Sequence, residues 1–301
     1  MNSIVIFGGA GFVGRHIIHR LASKGYKIIV PYQRPTNEAK LRLLGNFGQV
    51  IPIHYNTLKD HGITDILNNS DVCINLKTTW ISSKSDFNQS IYEFNQKLLS
   101  LINIKKSVKK FIFFSGLGVD DDDKSLRSIA IFKSEKLINS SFDNSIIIRP
   151  SIIIGSDDNF ISRLVTIFKI SFFIPIFGNG KSLLQPIYID DVSLTVEKII
   201  ISKLKGKHIF ELVGPHEFSY NEIYQLIRKS FNRKRILLNV PMRIIKLFVS
   251  LFQKTPFSPI NLEQLRLFER NNVKKNIDKD LSFFQIVPKD TIEIIRKIAK
   301  F

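Results

Sequence analysis

Six short apolar runs punctuate the first half of the chain, at residues 3–7, 27–30, 50–53, 72–76, 111–114 and 146–148. Each is rich in β-branched or aromatic residues and bounded by polar or turn residues, the pattern of a strand. Between them lie stretches such as 12–24 and 91–104, whose apolar residues recur every three to four positions and predict helices. This alternation predicts an α/β fold, a Rossmann-type doubly wound parallel sheet with helices on both faces. Strands buried on both sides run apolar instead of alternating, as these do.

Beyond Arg149-Pro150 the pattern loosens. A helix is predicted at 160–170, then Pro175, the turn Gly178-Asn179-Gly180 and a strand at 185–189. Asp190-Asp191 is read as the N-cap of a helix running to about Leu204. A strand at 208–213 leads through Gly214-Pro215 to a helix opening at Ser219, with Glu222 three residues on as in a capping box. Two candidate helices, 241–253 and 262–270, are separated by Pro256 and Pro259. The expected organisation is a dinucleotide-binding domain at 1–150 and a smaller α/β lobe at 151–301 with a basic helical tail. The two are expected to pack together with a ligand cleft between them.

Composition changes this picture little, and charge somewhat more. The 301 residues suffice for a substantial core, and no apolar run approaches the roughly 18 residues of a membrane span. A strand beginning at Ser3 leads us to expect no signal or transit peptide. The single cysteine, Cys73, sits in an apolar run, which excludes a disulfide framework and predicts a buried, inert thiol. The net charge of +18 admits two readings: attraction to an anionic partner, or lysines spread over a solvated surface. No compact Lys/Arg block appears, so nucleic-acid binding is not expected. The excess is concentrated at the end, where residues 221–301 hold 17 Lys and Arg against 7 Asp and Glu. Within that region, 236–260 mixes an apolar face with Arg235, Arg243, Lys246 and Lys254. Such a face suits a membrane surface or a partner helix, or the core of the second lobe.

The chemistry begins at Gly8-Gly9-Ala10-Gly11-Phe12-Val13-Gly14, which follows a strand and opens a helix. Gly8 permits the tight turn, Gly11 lets backbone approach a pyrophosphate, and Gly14 lets helix and strand pack closely, with the helix N-terminus facing the phosphates. A bulky side chain at Gly11 is expected to remove both nucleotide retention and stability. Proteins that bind NAD usually carry an acid at the end of the second strand for the ribose 2′-hydroxyl. Here the stretch is Val30-Pro31-Tyr32-Gln33-Arg34, with no acid. Arg34, with Arg15 just after the last glycine, suits a 2′-phosphate instead, which favours NADP(H) over NAD(H). Solvated surface arginines are the plainer reading of both. Asp120-Asp121-Asp122-Asp123 is read as a solvated loop, and no metal-ligand spacing or hydrolase elbow is present.

The motif spacing resembles the extended and atypical short-chain dehydrogenase/reductase superfamily, in the NAD-dependent epimerase/dehydratase style. Several stretches are most similar to one branch, the NAD(P)H-binding accessory subunit of respiratory complex I and its bacterial relatives. They are Gly8 to His16, Ile28-Ile29-Val30-Pro31-Tyr32, Leu44 to Gln49, Val72-Cys73-Ile74-Asn75-Leu76, Ser134-Glu135-Lys136 and Arg149-Pro150-Ser151. Gln185-Pro186-Ile187-Tyr188, Leu212-Val213-Gly214-Pro215 and Thr255-Pro256-Phe257-Ser258-Pro259 extend the match into the tail. The resemblance implies a tightly held, structural cofactor lined by Gly8, Gly11, Phe12, Val13, Gly14, Arg15, Arg34, Asn56, Leu76, Lys133 and Pro150. Asn56 stands where relatives often carry an acid that reads the adenine. It also implies a place among the peripheral-arm subunits of complex I. That place is peripheral on the inner membrane, on the cytoplasmic side in a bacterium or the matrix side of a mitochondrion.

Active members of that superfamily use a Tyr-x-x-x-Lys pair, in which the lysine lowers the tyrosine pKa and the tyrosine moves the proton. The corresponding stretch, 124–133, contains no tyrosine. Aligned on Ser134-Glu135, the pair falls on Arg127 and Ile131; aligned on Lys133, the tyrosine position is Ile129. Ser115 comes nearest to the catalytic serine but two positions early, where Leu117 would be expected. The expectation is a degenerate site near Ser115 and Lys133, without catalytic residues, in a non-catalytic nucleotide-binding protein with a structural or assembly role. Two alternatives stay open: an active oxidoreductase or epimerase on a lipid-like or sugar-nucleotide substrate, and a charge-driven nucleic-acid regulator.

Overall fold

In the computed structural model, residues 3–34, 36–78, 87–105, 107–120, 125–231, 235–252, 262–274 and 279–300 are described. They divide into two compact units. Unit 1 comprises Met1–Pro150, Ile189–Glu211 and Asp278–Ile286; unit 2 comprises Ser151–Tyr188, Leu212–Ile277 and Val287–Phe301. Asp121 to Lys124 of the acidic loop, and Lys254, Pro256 and Pro259 of the tail, lie outside the described residues.

Unit 1 opens with β1 (Ser3–Phe7), α1 (Phe12–Ser23), β2 (Lys27–Tyr32), α2 (Glu38–Arg42), β3 (Val50–His54), α3 (His61–Asn68) and β4 (Val72–Asn75). A π-helical turn, Asn88–Glu93, runs into α4 (Phe94–Lys105), followed by β5 (Lys110–Phe114), α5 (Leu126–Ser141) and β6 (Ser145–Pro150). Unit 2 contributes β7 (Ile153–Ile154), α6 (Ile161–Ile170), β8 (Phe173–Phe177), β9 (Leu183–Leu184) and β10 (Ile187–Tyr188). The chain then adds α7 (Ile189–Ile201) and β11 (His208–Leu212) to the first group. It closes with β12 (Phe218–Ser219), α8 (Tyr220–Lys229), β13 (Ile236–Val240), α9 (Met242–Phe252), α10 (Leu262–Leu265) and α11 (Thr291–Lys300).

The main sheet has the order β11-β6-β5-β4-β1-β2-β3, with β1 parallel to both β2 and β4, β3 parallel to β2, and β5 parallel to β4 and β6. This is the doubly wound arrangement expected from the strand–helix alternation. Side chains of β1 and β5 alternate between its faces: Val5, Phe7, Phe111 and Phe113 join Ile63, Leu98, Leu99 and Ile138 in one buried cluster. At the other face α1 and α7 are tied by Arg20, whose Nε donates to Ser193 Oγ at 2.8 Å and whose guanidinium meets Glu197 at 3.3 Å. The order reverses between β1 and β4, and ligands of such sheets bind at the carboxyl ends of the strands flanking that reversal. Cys73, in β4, is fully buried, and desolvation raises its thiol pKa, as expected of an inert thiol.

Unit 2 is built on α6, α8 and α11, whose apolar faces meet in a cluster that includes Ile161, Phe168, Tyr220, Ile223 and Ile295. Its strands form short ribbons, with β8 parallel to β13 and β9 antiparallel to β12. Ser219 and Glu222 form the reciprocal capping box foreseen at the start of α8.

Some expectations are corrected. Asp190 and Asp191 do not precede α7; the helix opens at Ile189, so both acids lie in its first turn, where they still complement the helix dipole. The strand foreseen at 185–189 shrinks to Ile187–Tyr188, with Ile189 taken into the helix. The helical segment foreseen at 91–104 starts earlier, at Asn88, as a π-helical turn that runs into α4 at Phe94. Hydrophobic periodicity passes over α5, because its buried face carries Arg127, Ser128, Ser134 and Glu135 beside Ile131 and Ile138.

Candidate functional site

β1 ends at Phe7, and the turn that follows needs Gly8 at φ +77°, a region that disfavours side chains. A Cβ there would also stand 3.0 Å from the Leu76 carbonyl carbon and 3.1 Å from the Lys77 nitrogen, so the glycine loop backs onto the chain leaving β4. Gly14 is buried where α1 crosses the loop, and a Cβ on it would fall on the Gly9 backbone. Gly11 differs: it is exposed, and among the described residues a Cβ on it would meet nothing nearer than Gly8 O at 3.5 Å. Among the described residues, space is therefore open before the first turn of α1, which has no side-chain cap and no acid. Its positive end is left for an anion, and Phe12 and Val13, both half-buried, begin that turn. These features fit the pyrophosphate of a dinucleotide.

Beside the loop, at the end of β2, Gln33 and Arg34 are exposed. Gln33 Nε2 donates to Asn56 O at 2.9 Å, which ties the ends of β2 and β3. Asn56 is itself exposed, and its N–H donates to Asp60 at 2.8 Å. Tyr32 donates its hydroxyl to Glu38, which also pairs with Arg42 at 3.1 Å. The Tyr32 hydrogen bond, then that of Arg42, holds the Glu38 carboxyl below its ordinary pKa. Arg15 lies on α1, half-buried, with its guanidinium donating to Ala10 O at 3.0 Å.

Lys77 is the residue that sequence reasoning missed. It follows β4 directly after the half-buried Leu76, and its N–H donates to the buried Asn75 Oδ1 at 2.9 Å. Asn75 in turn donates to Asn95 of α4 at 2.8 Å, which fixes this corner. The Lys77 side chain reaches toward β2, where Nζ donates to Gln33 Oε1 at 2.5 Å and lies 4.0 Å above the Phe94 ring. Burial, and then the charge of Arg34, push its ammonium down to about 8. The signal available in the sequence was a cation at the first polar position after a strand beside the topological switch.

The flank where superfamily enzymes place their proton chemistry is built differently. α5 turns Arg127, Ile131 and Glu135 inward, while Lys133 is exposed and Lys136 with it. Arg127 and Ile131 share the inward face because they lie four residues apart; Lys133 is well over 90° away around the helix. Arg149, on β6, binds Glu135 through two hydrogen bonds of 3.0 and 2.5 Å and lies 3.7 Å from the buried Glu211. The sheet-facing positions are thus occupied by an ion pair and an isoleucine. Ser115 is buried, with its N–H on Ile148 O at 2.8 Å and its hydroxyl without a partner among the described residues. Pro150, half-buried, accepts from Leu117 N–H at 3.0 Å. Neither α5 nor the turn after β5 brings a phenol to Ser115.

The sheet and its glycine loop together define a doubly wound α/β protein of the Rossmann type. Residues 4–137 match the NAD dependent epimerase/dehydratase family. The chain is 24% identical over 260 residues to the mitochondrial NADH-ubiquinone oxidoreductase 40 kDa subunit of Neurospora crassa, covering 86% of this chain and 68% of that one. It is 29% identical over 264 residues to mitochondrial NADH dehydrogenase [ubiquinone] 1 alpha subcomplex subunit 9 of Mus musculus, covering 84% and 68%. Among solved structures, dTDP-glucose 4,6-dehydratase of Bacillus anthracis in complex with NAD superposes with a TM-score of 0.73. That match spans 100% of this chain and 96% of the other at 14% identity, a likeness of fold. The resemblance read from the motifs is borne out in both its parts.

Proposed function

We propose that this protein is a nicotinamide-dinucleotide-binding accessory subunit of a complex I type assembly, holding NADP(H) in preference to NAD(H) without turning it over. One observation carries the reading: at one sheet edge the phosphate cradle is intact, while the inward face of α5 presents Arg127 and Ile131 where an acid and its lysine would stand. The likeness to complex I subunits over most of the chain supports the assembly. When bound, a nicotinamide group supplies hydride chemistry. The chain's own residues hold the pyrophosphate at Phe12 and Val13 and face the ribose with Gln33 and Arg34, but offer no phenol to move a proton. The missing acid at the end of β2 supports a 2′-phosphate over a 2′-hydroxyl.

In this reading the protein sits peripherally at the inner membrane, and its contact surface lies in unit 2. No helix among the described residues is long and apolar enough to cross a membrane. α9, however, exposes Ile244, Leu247 and Leu251 at 59 to 67% on one stripe, next to the exposed Arg243 and Lys246. The rest of the 236–260 segment, from 253 on, lies outside the described residues.

The test is a mild-detergent pull-down from membranes, with released nucleotide identified by mass spectrometry. Near-stoichiometric NADP(H) and co-purifying complex I subunits are expected. Recovery of the protein alone and free of nucleotide would overturn the reading, as would steady coenzyme turnover by the purified chain.

A further inference from the structure

We infer that Lys77 is the specificity-determining residue of a 2′-phosphate subsite, formed with Gln33 and Arg34 across the carboxyl ends of β4 and β2. The inference rests on the dinucleotide reading and goes beyond it in assigning the discrimination to a residue outside the glycine loop and the β2 arginine.

Three observations place this cation where a ribose phosphate would lie. First, Lys77 stands at the topological switch point: its backbone nitrogen is 3.1 Å from the Cβ position of Gly8, so it forms the back of the cradle. Second, its side chain turns toward β2, where Nζ reaches Gln33, the first residue after the strand whose end reads the ribose 2′ position. Gln33 is braced by its bond to Asn56 O, and Asn75 braces the Lys77 backbone, so neither end of the contact is loose. Third, the partners of Nζ among the described residues are a neutral amide oxygen and an aromatic face. Arg34 is close enough to repel it, and the half-desolvated ammonium is held down to about 8.

Two cations gathered beside a neutral acceptor cost free energy that an anion would recover, and a neutral hydroxyl would not. The pyrophosphate does not compete for this position, since the first turn of α1 accommodates it. A dinucleotide phosphate on the ribose carries the remaining charge and suits both Lys77 and Arg34. Arg15, the other cation near the loop, already spends a guanidinium hydrogen on Ala10 O.

The experiment measures equilibrium binding of NADPH and of NADH to the purified full chain stripped of nucleotide, at neutral pH, for wild type, Lys77→Met and Lys77→Arg. Methionine keeps an apolar stem over Phe94 and removes the charge. Wild type should bind NADPH more tightly. Lys77→Met should lose about ten- to a hundredfold in NADPH affinity, the range of one charge-assisted hydrogen bond, with NADH affinity unchanged. Lys77→Arg should recover most of the preference. An unchanged NADPH-to-NADH ratio in Lys77→Met would overturn the assignment while leaving the dinucleotide reading intact, as would equal losses for both nucleotides. A wild-type chain that binds neither nucleotide would overturn the dinucleotide reading itself, and the subsite with it.

Discussion

Two corners of unit 1 lie at the carboxyl edge of one parallel sheet and have been treated in opposite ways. Around β1, β4 and β2 the described residues leave space before an uncapped helix, and Lys77 reaches across to Gln33, next to Arg34 in the chain. Around β5, β6 and α5 the described inward positions are packed: Ile131 is fully buried, and Arg149 is locked to Glu135. A binding corner needs donors facing open room; a packed corner leaves no room for a ligand. In the proposed reading, nucleotide retention and proton chemistry are separable parts of this architecture, because they rest on different strands.

The comparison can be broken most forcibly at Gly14. Gly14→Val puts side-chain atoms into the Gly9 backbone and should cost on the order of 4–5 kcal/mol or prevent folding, read by denaturant titration. On the packed side, Glu135→Ala strips Arg149 of its bidentate partner and leaves Glu211 at 3.7 Å as the nearest described carboxylate. Removing the carboxylate that holds Arg149 through two hydrogen bonds, with Glu211 still beside it, should destabilise by about 1.5–3 kcal/mol, with nucleotide affinity per folded molecule little changed. Loss of nucleotide binding with unaltered stability would mean the two corners are not separate.

Gly11→Val sharpens the same contrast from the binding side. The sequence expectation tied retention and stability together at this position. The structure separates them, since a Cβ at Gly11 meets only Gly8 O at 3.5 Å, while the larger side chain enters the space before α1. Stability should change by less than about 1 kcal/mol, and nucleotide should be absent from the purified protein by mass spectrometry. Full retention would move the pocket elsewhere.

How much of this was legible depends on whether a residue's neighbours are local. The glycine loop reads directly, because its turn, cradle and helix start lie within seven consecutive residues, and the strands read because burial on both faces leaves an unbroken apolar run. α5 did not read as a helix, because tertiary partners such as Arg149 satisfy its inward polar groups and so erase the apolar stripe. Lys133 has the superfamily lysine's spacing in one alignment, and its place on the exposed face of α5 is not written in that spacing. Lys77 was passed over because its meaning lies in Gln33, 44 positions earlier, and a cation after a strand has no motif of its own.

The smallest effect expected is on the pH dependence of stability, and its sign follows from Lys77. In the folded chain without nucleotide its pKa is depressed from the ordinary 10.5 to about 8. Between those values the unfolded chain binds the extra proton and the folded one does not, so stability rises with pH across that window, by at most about 1.4 kcal/mol per pH unit. Below pH 8 the full penalty of the charged, half-desolvated ammonium is present. A 2′-phosphate favours the charged form and moves the pKa back up, so NADPH should stabilise the protein most at pH 7 and progressively less toward pH 9.5. To isolate this one group, the quantity to follow is the difference in thermal midpoint between wild type and Lys77→Met, with and without NADPH. That difference should narrow with rising pH in the free protein, where Lys77→Met begins as the more stable of the two. A pH-independent difference would mean that the Lys77 ammonium keeps its ordinary proton affinity, and that the packing of its stem over Phe94 sets its contribution.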